Sequence, residues 1–201
     1  MKSILVINGH PRAGSFCDAL EEAYVEQFGS TNQSIQVLRL RDLTFDLSLS
    51  NPKLQSGKEI EPDLLKAQEL ITQADHLVWI YPNWWGTFPA LVTGFIDRTF
   101  IPGFAFKYQQ TSPFPEKLLQ GKTARILVTM DGPGWWYQFA MGAGGDRAMN
   151  HSTLKFSGIK VLGIHHFGDL RGKKISPAAK HLERVGSIGE KDRRMSRFLQ
   201  D

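Results

Sequence analysis

Short apolar runs alternate with longer amphipathic segments along this chain, and this alternation constrains the fold more than any other feature. A continuous apolar run of about four to eight residues is typical of a strand that is covered on both faces of a parallel sheet. Such runs predict five strands, at 3–7, 35–40, 76–81, 123–130 and 159–165.

Amphipathic segments separate these strands. In the first of them Phe16, Leu20, Tyr24 and Phe28 lie four residues apart, as on one face of a helix. The same kind of pattern predicts helices at 16–28, 62–73, 89–100 and 146–156 and a last helix from 177. Strands that alternate with helices predict an α/β fold, a doubly wound five-stranded parallel sheet in a three-layer αβα arrangement. Right-handed crossovers favour strand order 2-1-3-4-5, with 3-2-1-4-5 as the alternative.

Composition sets the outer limits. The chain has 201 residues, 41% of them hydrophobic, which predicts one domain over 1–201. No leader segment is recognisable, and no stretch approaches the roughly 18 apolar residues of a membrane span. Cys17 is the only cysteine, so neither a disulfide framework nor a thiolate metal cluster can form within the chain. We therefore expect a cytoplasmic protein without membrane insertion.

Basic residues slightly exceed acidic ones. The formal net charge is +4, partly from Lys191, Arg193, Arg194 and Arg197 in the segment after Gly186. We interpret this segment as a solvated end and predict no nucleic-acid partner. A mildly basic surface favours an anionic dinucleotide.

The first loop to inspect runs from Asn8 to Ser15, between the first strand and the first helix. A helix N-terminus offers unpaired backbone N–H groups, and Ser15 can cap it or donate its hydroxyl to a phosphate. The pattern matches neither a P-loop nor the Gly-x-Gly-x-x-Gly fingerprint. The segment is therefore either a phosphate site or a simple turn and cap.

The second loop covers 82–89, after the third strand, and contains Trp84 and Trp85. Two adjacent tryptophans in a turn cannot both point into one core, so we expect at least one ring to face outward. A rigid loop of this kind offers the flat apolar wall that an isoalloxazine needs. One of the two rings could instead close the end of the sheet.

The third loop follows the fourth strand, and the whole stretch 131–145 is predicted as loop. Its glycines let the main chain approach a ligand closely, and Tyr137 carries a hydroxyl that can hydrogen-bond a flavin or quinone oxygen. The alternative is a surface aromatic cluster that contacts another protein.

Several runs together resemble the NAD(P)H quinone dehydrogenase family of flavodoxin-like proteins. They are Asn8-Gly9-His10-Pro11 to Ser15-Phe16, Tyr81-Pro82-Asn83-Trp84-Trp85-Gly86, Pro89-Ala90-Leu91, Gly94-Phe95-Ile96-Asp97-Arg98 and Pro102-Gly103-Phe104-Ala105-Phe106. The resemblance implies a homodimer with flavin sites at the subunit interface. It also implies two-electron ping-pong transfer of hydride from NADPH or NADH to quinones or similar acceptors.

The resemblance also assigns residues. Cofactor-binding positions would be His10, Ser15, Phe16 and Cys17 in the phosphate loop; Pro82, Asn83, Trp84, Trp85 and Gly86 along the isoalloxazine; and Thr129, Asp131, Gly132 and Tyr137 in the third loop. Cys17 stands where asparagine is common in the family, and Asp131 replaces a usual glycine.

Tyr137 is the candidate catalytic residue. Family members that pair this tyrosine with a histidine carry the histidine shortly after it, whereas 138–145 contains none. His151, His165 and His166 are candidates to replace it or to bind metal. No two histidines have the i, i+4 spacing of a helical metal site, so we predict no metal.

Three functions remain open. The first is the quinone reductase, with FMN favoured over FAD because the chain is short. The second is a flavin-binding regulatory subunit of a potassium efflux system, a role that the resemblance implies for some relatives. The third is a one-electron flavodoxin carrier; such carriers are typically acidic, whereas this chain has a pI near 9.2.

Overall fold

The predicted strands form one parallel sheet. In this computed structural model, residues 3–29, 35–48, 60–171 and 177–195 are described. The strands are β1 (Ile4–Asn8), β2 (Ile35–Arg39), β3 (His76–Pro82), β4 (Phe106–Lys107), β5 (Glu116–Lys117), β6 (Thr123–Thr129) and β7 (Lys160–Phe167). The sheet has the order β2-β1-β3-β6-β7, and its neighbouring strands are parallel. This confirms the predicted order 2-1-3-4-5 and excludes 3-2-1-4-5.

Helices connect the strands and cover both faces of the sheet. They are α1 (Phe16–Val25, continued by a 3-10 turn at Glu26–Phe28), α2 (Pro62–Gln73), α3 (Ala90–Thr99), α4 (Gly134–Phe139), α5 (Gly144–Arg147, continued by a π-helical stretch at Ala148–Lys155) and α6 (Ala178–Met195). Proline at the first turn of α2 and just before α3 fits the N-terminal preference of that residue.

Alternating side chains of each central strand enter two separate cores. In β1, Ile4 and Val6 pack in one core with α1 and α6, whereas Leu5 and Ile7 pack in the other with α2 and α3. Because successive strand residues point to opposite faces, a strand covered on both sides must be apolar throughout. The three-layer αβα arrangement is thereby confirmed.

Three segments differ from the predictions. The stretch 131–145 is not all loop, because α4 forms within it and α5 begins at Gly144. The segment 101–121, for which no strand or helix was predicted, contains the antiparallel pair β4–β5. The basic segment after Gly186 is part of α6 as far as Met195, where Ile188 is buried against the sheet. The segment is therefore an ordered helix rather than a free end, whereas the basic side chains of Lys191 and Arg194 are exposed, in agreement with the prediction; Arg197 lies outside the described residues.

Asp192 on α6 joins that helix to the amino-terminal edge of the sheet. Its carboxylate accepts hydrogen bonds from the guanidinium of Arg125 on β6 and, at 3.0 Å, from the hydroxyl of Tyr24 on α1. His76 Nε2 lies 3.6 Å away, beyond normal hydrogen-bond distance. Within the described ranges, no helix is long and apolar enough to cross a membrane.

Candidate functional site

The three predicted loops meet at the carboxyl edge of the sheet. Asn8 pairs in register with Ile80, Pro82 with Thr129, and Thr129 with Phe167, so the loops that follow these strands leave from one edge. A cavity of about 370 Å³ opens between them; its lining residues are His10, Arg12, Ser15, Phe16, Pro82, Asn83, Trp84, Thr129, Met130, Asp131 and Leu170. Ligands of open α/β sheets bind at this edge.

The structure brings most of the predicted cofactor residues to this cavity. Those that line it are His10, Ser15, Phe16, Pro82, Asn83, Trp84, Thr129 and Asp131. The predicted residues that do not line it are Cys17, Trp85, Gly86, Gly132 and Tyr137. The second group lies behind or beside the first, in the same three loops.

Ser15 begins α1 through a capping box. Its hydroxyl accepts a hydrogen bond from the Asp18 amide at 3.3 Å, and its own amide donates to the Asp18 carboxylate at 3.1 Å. The amides of Phe16 and Cys17 make no hydrogen bond to any residue that the structure describes. Two backbone donors and the positive end of the helix dipole therefore remain available at the cavity.

The carboxylate of Asp18 does not oppose an anion at this position, because it is already compensated. It accepts hydrogen bonds from Asn8 and Arg41, each at 2.8 Å. Burial alone would raise the pKa of Asp18, but the bonds from Arg41 and from the Ser15 amide outweigh burial and lower it. The pair with Arg41 leaves little net charge under the cavity.

His10 and Trp84 join the first loop to the second. Their rings meet edge to face, with centroids 5.8 Å apart. Burial lowers the pKa of His10, which keeps its imidazole neutral at neutral pH. The exposed guanidinium of Arg12 is then the cation of the cavity lining, and it favours a phosphate.

The second loop is a tight turn. Trp84 and Thr87 exchange two backbone hydrogen bonds, of 2.9 and 3.0 Å. The two central residues, Trp85 and Gly86, have φ values of 55° and 79°, as in a type I′ turn. Trp85 is 100% exposed and Trp84 is 45% exposed, so neither ring closes the end of the sheet.

The third loop presents its aromatic residues in two directions. Trp135 and Trp136 on α4 are exposed, whereas Tyr137 is only 3% exposed. The Tyr137 hydroxyl accepts a hydrogen bond from the Asp146 amide at 3.2 Å and donates to the Gly86 carbonyl at 3.4 Å. Burial, with the nearby Asp146 carboxylate, raises the pKa of Tyr137. Tyr137 thus connects the second loop to α5.

Cys17 lies behind the cavity and is fully buried. Its sulfur is 3.4 Å from the hydroxyl oxygen of Thr129, which lines the cavity. Burial raises the pKa of the Cys17 thiol to about 12, so the reactive thiolate is scarce at neutral pH.

The donor set fits a flavin better than a metal. Asn83 lines the cavity, and its buried side-chain oxygen has no hydrogen-bond partner among the described residues, which leaves one acceptor unused at the site. Trp84, Met130 and Leu170 supply apolar surface, and the α1 N-terminus with Arg12 supplies an anion site. In the described part of the chain, no cluster of three His, Cys, Asp or Glu side chains is placed to hold a metal ion.

A larger depression elsewhere has different chemistry. About 700 Å³ of open space lies between α1 and α6, bordered by Glu22, Glu26, Glu183 and Glu190. Four carboxylates would repel a phosphate, and the depression is far from the carboxyl ends of the strands. We therefore assign the ligand site to the smaller cavity.

Sequence reasoning missed three lining residues: Arg12, Met130 and Leu170. Arg12 and Met130 stood inside stretches that had been examined, and the positive charge of Arg12 was the available signal. Leu170 follows β7, and no ligand loop was predicted after that strand. The sequence also left open whether His166 lies near Tyr137; in the structure their rings are in contact.

The chain is similar to known proteins in sequence and in fold. The family model described as flavodoxin-like fold matches residues 2–188. A ribosyldihydronicotinamide dehydrogenase [quinone] of Pongo abelii is 27% identical over 185 residues, which is 80% of this chain and 79% of that protein. An uncharacterized NAD(P)H oxidoreductase of Haemophilus influenzae is 29% identical over 174 residues, 83% of each chain.

A solved structure gives the same architecture. The FMN-dependent NADH-azoreductase from Bacillus anthracis, solved in complex with FMN, superposes with a TM-score of 0.71 over 95% of this chain and 99% of that one. At 18% identity this likeness is one of fold. The expected resemblance to quinone dehydrogenases of flavodoxin-like fold is confirmed by the relatives, and with nearly its whole length matched, the chain belongs to the flavodoxin-like fold family.

Proposed function

We propose that this protein is a flavin-dependent NAD(P)H dehydrogenase (quinone) that passes hydride to quinones or similar acceptors. The observation that carries the proposal is one cavity whose lining combines two kinds of chemistry. Free amides of α1 and the guanidinium of Arg12 supply an anion site, and Trp84, Met130 and Leu170 supply an apolar surface. The relatives named for NAD(P)H and quinone support the same reaction.

The residues of the chain would bind the cofactor and orient it. Amides at the α1 N-terminus and Arg12 would hold the cofactor phosphate, Trp84 would lie along the ring system, and Asn83 would accept from a ring N–H. A bound flavin would supply the two-electron redox chemistry that connects NADPH or NADH with the quinone in a ping-pong order. In the full cycle the quinone gains two electrons and two protons, one of them from solvent. The protein groups need only fix distance and exclude water.

We further propose FMN as the cofactor, with FAD as the alternative, and a homodimer as the working form. The chain is short, which favours the smaller flavin, and the structural neighbour from Bacillus anthracis was solved with FMN. Trp85, Trp135, Trp136 and Phe139 expose a large aromatic surface beside the cavity, which fits a second copy placed over it. A cytoplasmic location and NADPH or NADH as the co-substrate remain predictions.

The test begins with the purified protein. We expect a yellow protein whose acid-released cofactor co-chromatographs with FMN and which oxidises NADPH or NADH when a quinone such as menadione is present. Arg12→Ala should weaken FMN binding about tenfold, because a charge-assisted bond to phosphate is lost. Lys155→Ala is the matched control, since Lys155 is an exposed cation at a different pocket. A colourless protein that takes up neither FMN nor FAD would refute the proposal.

The exposed aromatic surface also keeps the regulatory-subunit alternative testable. Flavin binding without any nicotinamide–quinone turnover would favour that function over the enzyme. A flavodoxin carrier would instead accumulate a stable one-electron-reduced flavin during stepwise reduction with dithionite.

A further inference from the structure

A buried histidine–carboxylate pair lies directly behind the candidate site. His166 Nε2 is 2.8 Å from Asp146 Oδ2, and the two side chains are only 9% and 8% exposed. The His166 ring also packs edge to face on Tyr137, with centroids 5.6 Å apart. The segment after Tyr137 contains no histidine, and the fold brings one to it from β7 instead.

His166 is held in one orientation. Gln138 Nε2 lies 2.9 Å from His166 Nδ1, so an amide N–H can donate to that ring nitrogen. The ring proton then resides on Nε2, where it donates to Asp146. The adjacent His165 points to the other face of the sheet and contacts Arg125 instead, as strand alternation requires.

Asp146 transmits this contact to the loops of the site. Its backbone amide donates to the Tyr137 hydroxyl at 3.2 Å, while the preceding amide, of Gly145, donates to the Gly86 carbonyl at 3.0 Å. Gly86 belongs to the tight turn that carries Trp84 and Trp85. Asp146 thus contacts β7 through its side chain and Tyr137 through its backbone amide, and the neighbouring amide of Gly145 extends the connection to this turn.

As a purely structural element, the His166–Asp146 pair would lower the stability of the fold. Asp146 Oδ1 and the Tyr81 hydroxyl are both buried without a hydrogen-bond partner among the described residues. A buried carboxylate with one free oxygen costs stability unless its charge is used. An apolar pair of similar volume would fill the same space without this cost, so the presence of the His166–Asp146 pair points to a role in the site.

We propose that His166 is a positioning residue of the candidate site. Through its hydrogen bond to Asp146 it fixes the Tyr137 hydroxyl and the turn at 84–87, and thereby the apolar wall of the cavity. Its effect on turnover rests on the proposed function; its effect on the order of the loop does not.

Two variants separate the effect of the His166–Asp146 hydrogen bond from the effect of the His166 ring. His166→Phe keeps a ring against Tyr137 but removes the donor to Asp146, whereas His166→Gln keeps an N–H donor without the ring. His151→Gln is the control, because His151 is exposed and lines a different pocket. Circular dichroism establishes that each variant is folded, and Asp146→Ala removes the acceptor of the same bond if the Phe variant does not fold.

The first measurement needs no flavin. Hydrogen exchange by NMR on the flavin-free chain should show the amide of Gly145 and the amide of residue 146 exchanging about tenfold faster in His166→Phe and in Asp146→Ala than in the wild type. His166→Gln and the control should remain within about twofold. Unchanged exchange in His166→Phe would overturn the proposal, as would equally fast exchange in His166→Gln.

The second measurement uses the flavin-loaded protein with NADPH and menadione. We expect kcat to fall about tenfold in His166→Phe and to be largely retained in His166→Gln, with the same menadione KM in both. A loss of kcat in His166→Gln equal to that in His166→Phe would overturn the positioning role. If the wild type shows no turnover, the proposed function fails, and the exchange measurement alone still decides this inference.

Discussion

Replacing Asp192 by asparagine tests how the last helix is held on the sheet. Asp192 is 4% exposed and faces Arg125, Tyr24 and His76. Burial alone would raise the pKa of its carboxyl, but interactions with His76 and Arg125 outweigh burial and lower it from 3.8 to about 2. That shift corresponds to about 2 kcal/mol of stability.

The expected effect of Asp192→Asn is somewhat larger than that figure. Asparagine keeps the shape and can still accept a hydrogen bond, but it leaves the buried guanidinium of Arg125 without its counter-charge. We expect a loss of about 3 kcal/mol in the free energy of unfolding, measured by urea titration at pH 7. For a chain of this length that lowers the Tm by about 9 °C.

The pH dependence of the stability difference tests whether the charge of Asp192 causes it. A lowered carboxyl pKa contributes stability that is fully present above 3.8 and is lost as the pH falls toward about 2. The urea midpoints of wild type and Asp192→Asn should therefore converge between pH 4 and pH 2. A constant gap, or a loss below about 0.5 kcal/mol at pH 7, would refute the reasoning.

Glu190→Gln on the same helix is the control. Hydrogen bonds from Arg193 and Arg194 lower the pKa of Glu190 to about 2 as well, but this cluster lies at the surface. Water and salt screen surface ion pairs, so an equal pKa does not imply an equal contribution. We expect the urea midpoint of Glu190→Gln to equal that of the wild type.

Three further substitutions or treatments probe the site. Cys17 should react with Ellman's reagent only after unfolding. Its thiol has a pKa of about 12 instead of the ordinary 9.0, which leaves about a thousandfold less thiolate at neutral pH, and reaction at the rate of free cysteine would contradict its burial. Trp85→Asn should stabilise the single chain by about 1 kcal/mol in urea, because asparagine tolerates φ 55° and the Trp85 ring is fully exposed within one chain; a less stable variant would disprove the strain argument. Gly145→Ala should lower the free energy of unfolding by about 2 kcal/mol, because the added Cβ would lie 2.9 Å from the Tyr137 hydroxyl oxygen. Gly132→Ala is the control, because a Cβ at Gly132 would meet no atom within 4 Å.

The sheet could be predicted from sequence because its signal is local. Continuous apolar runs such as β1 and β3 are buried on both faces, and the alternation with helices leaves few topologies. The boundaries of α2 agree with the prediction, since Pro62 marks its first turn. The site loops followed from the same reasoning, because ligands bind where parallel strands end.

What the sequence did not reveal depends on short or distant interactions. The six residues of α4 are too few for a helical period to show, and the glycines and proline before it signal a turn. The two-residue strands β4 and β5 pair across a loop without any local pattern. Their stability comes from tertiary packing, which no window of sequence contains.

The role assigned to Tyr137 illustrates the same limit at the site. Its place in the third loop predicted a hydroxyl directed at a ligand, and sequence spacing left the partner histidine unidentified. The structure engages that hydroxyl with the Asp146 amide and the Gly86 carbonyl, and it brings His166 to the same place from a strand 29 positions after Tyr137 in the chain. Because the bond to Gly86 is long, at 3.4 Å, the Tyr137 hydroxyl is held mainly through the Asp146 amide. The Tyr137 side chain is 3% exposed and does not line the cavity, so its task in the flavin-free chain is to hold the loops. Tyr137→Phe would remove that task together with any role toward a ligand, whereas variants at His166, one step removed, change the holding of the loops and keep the hydroxyl.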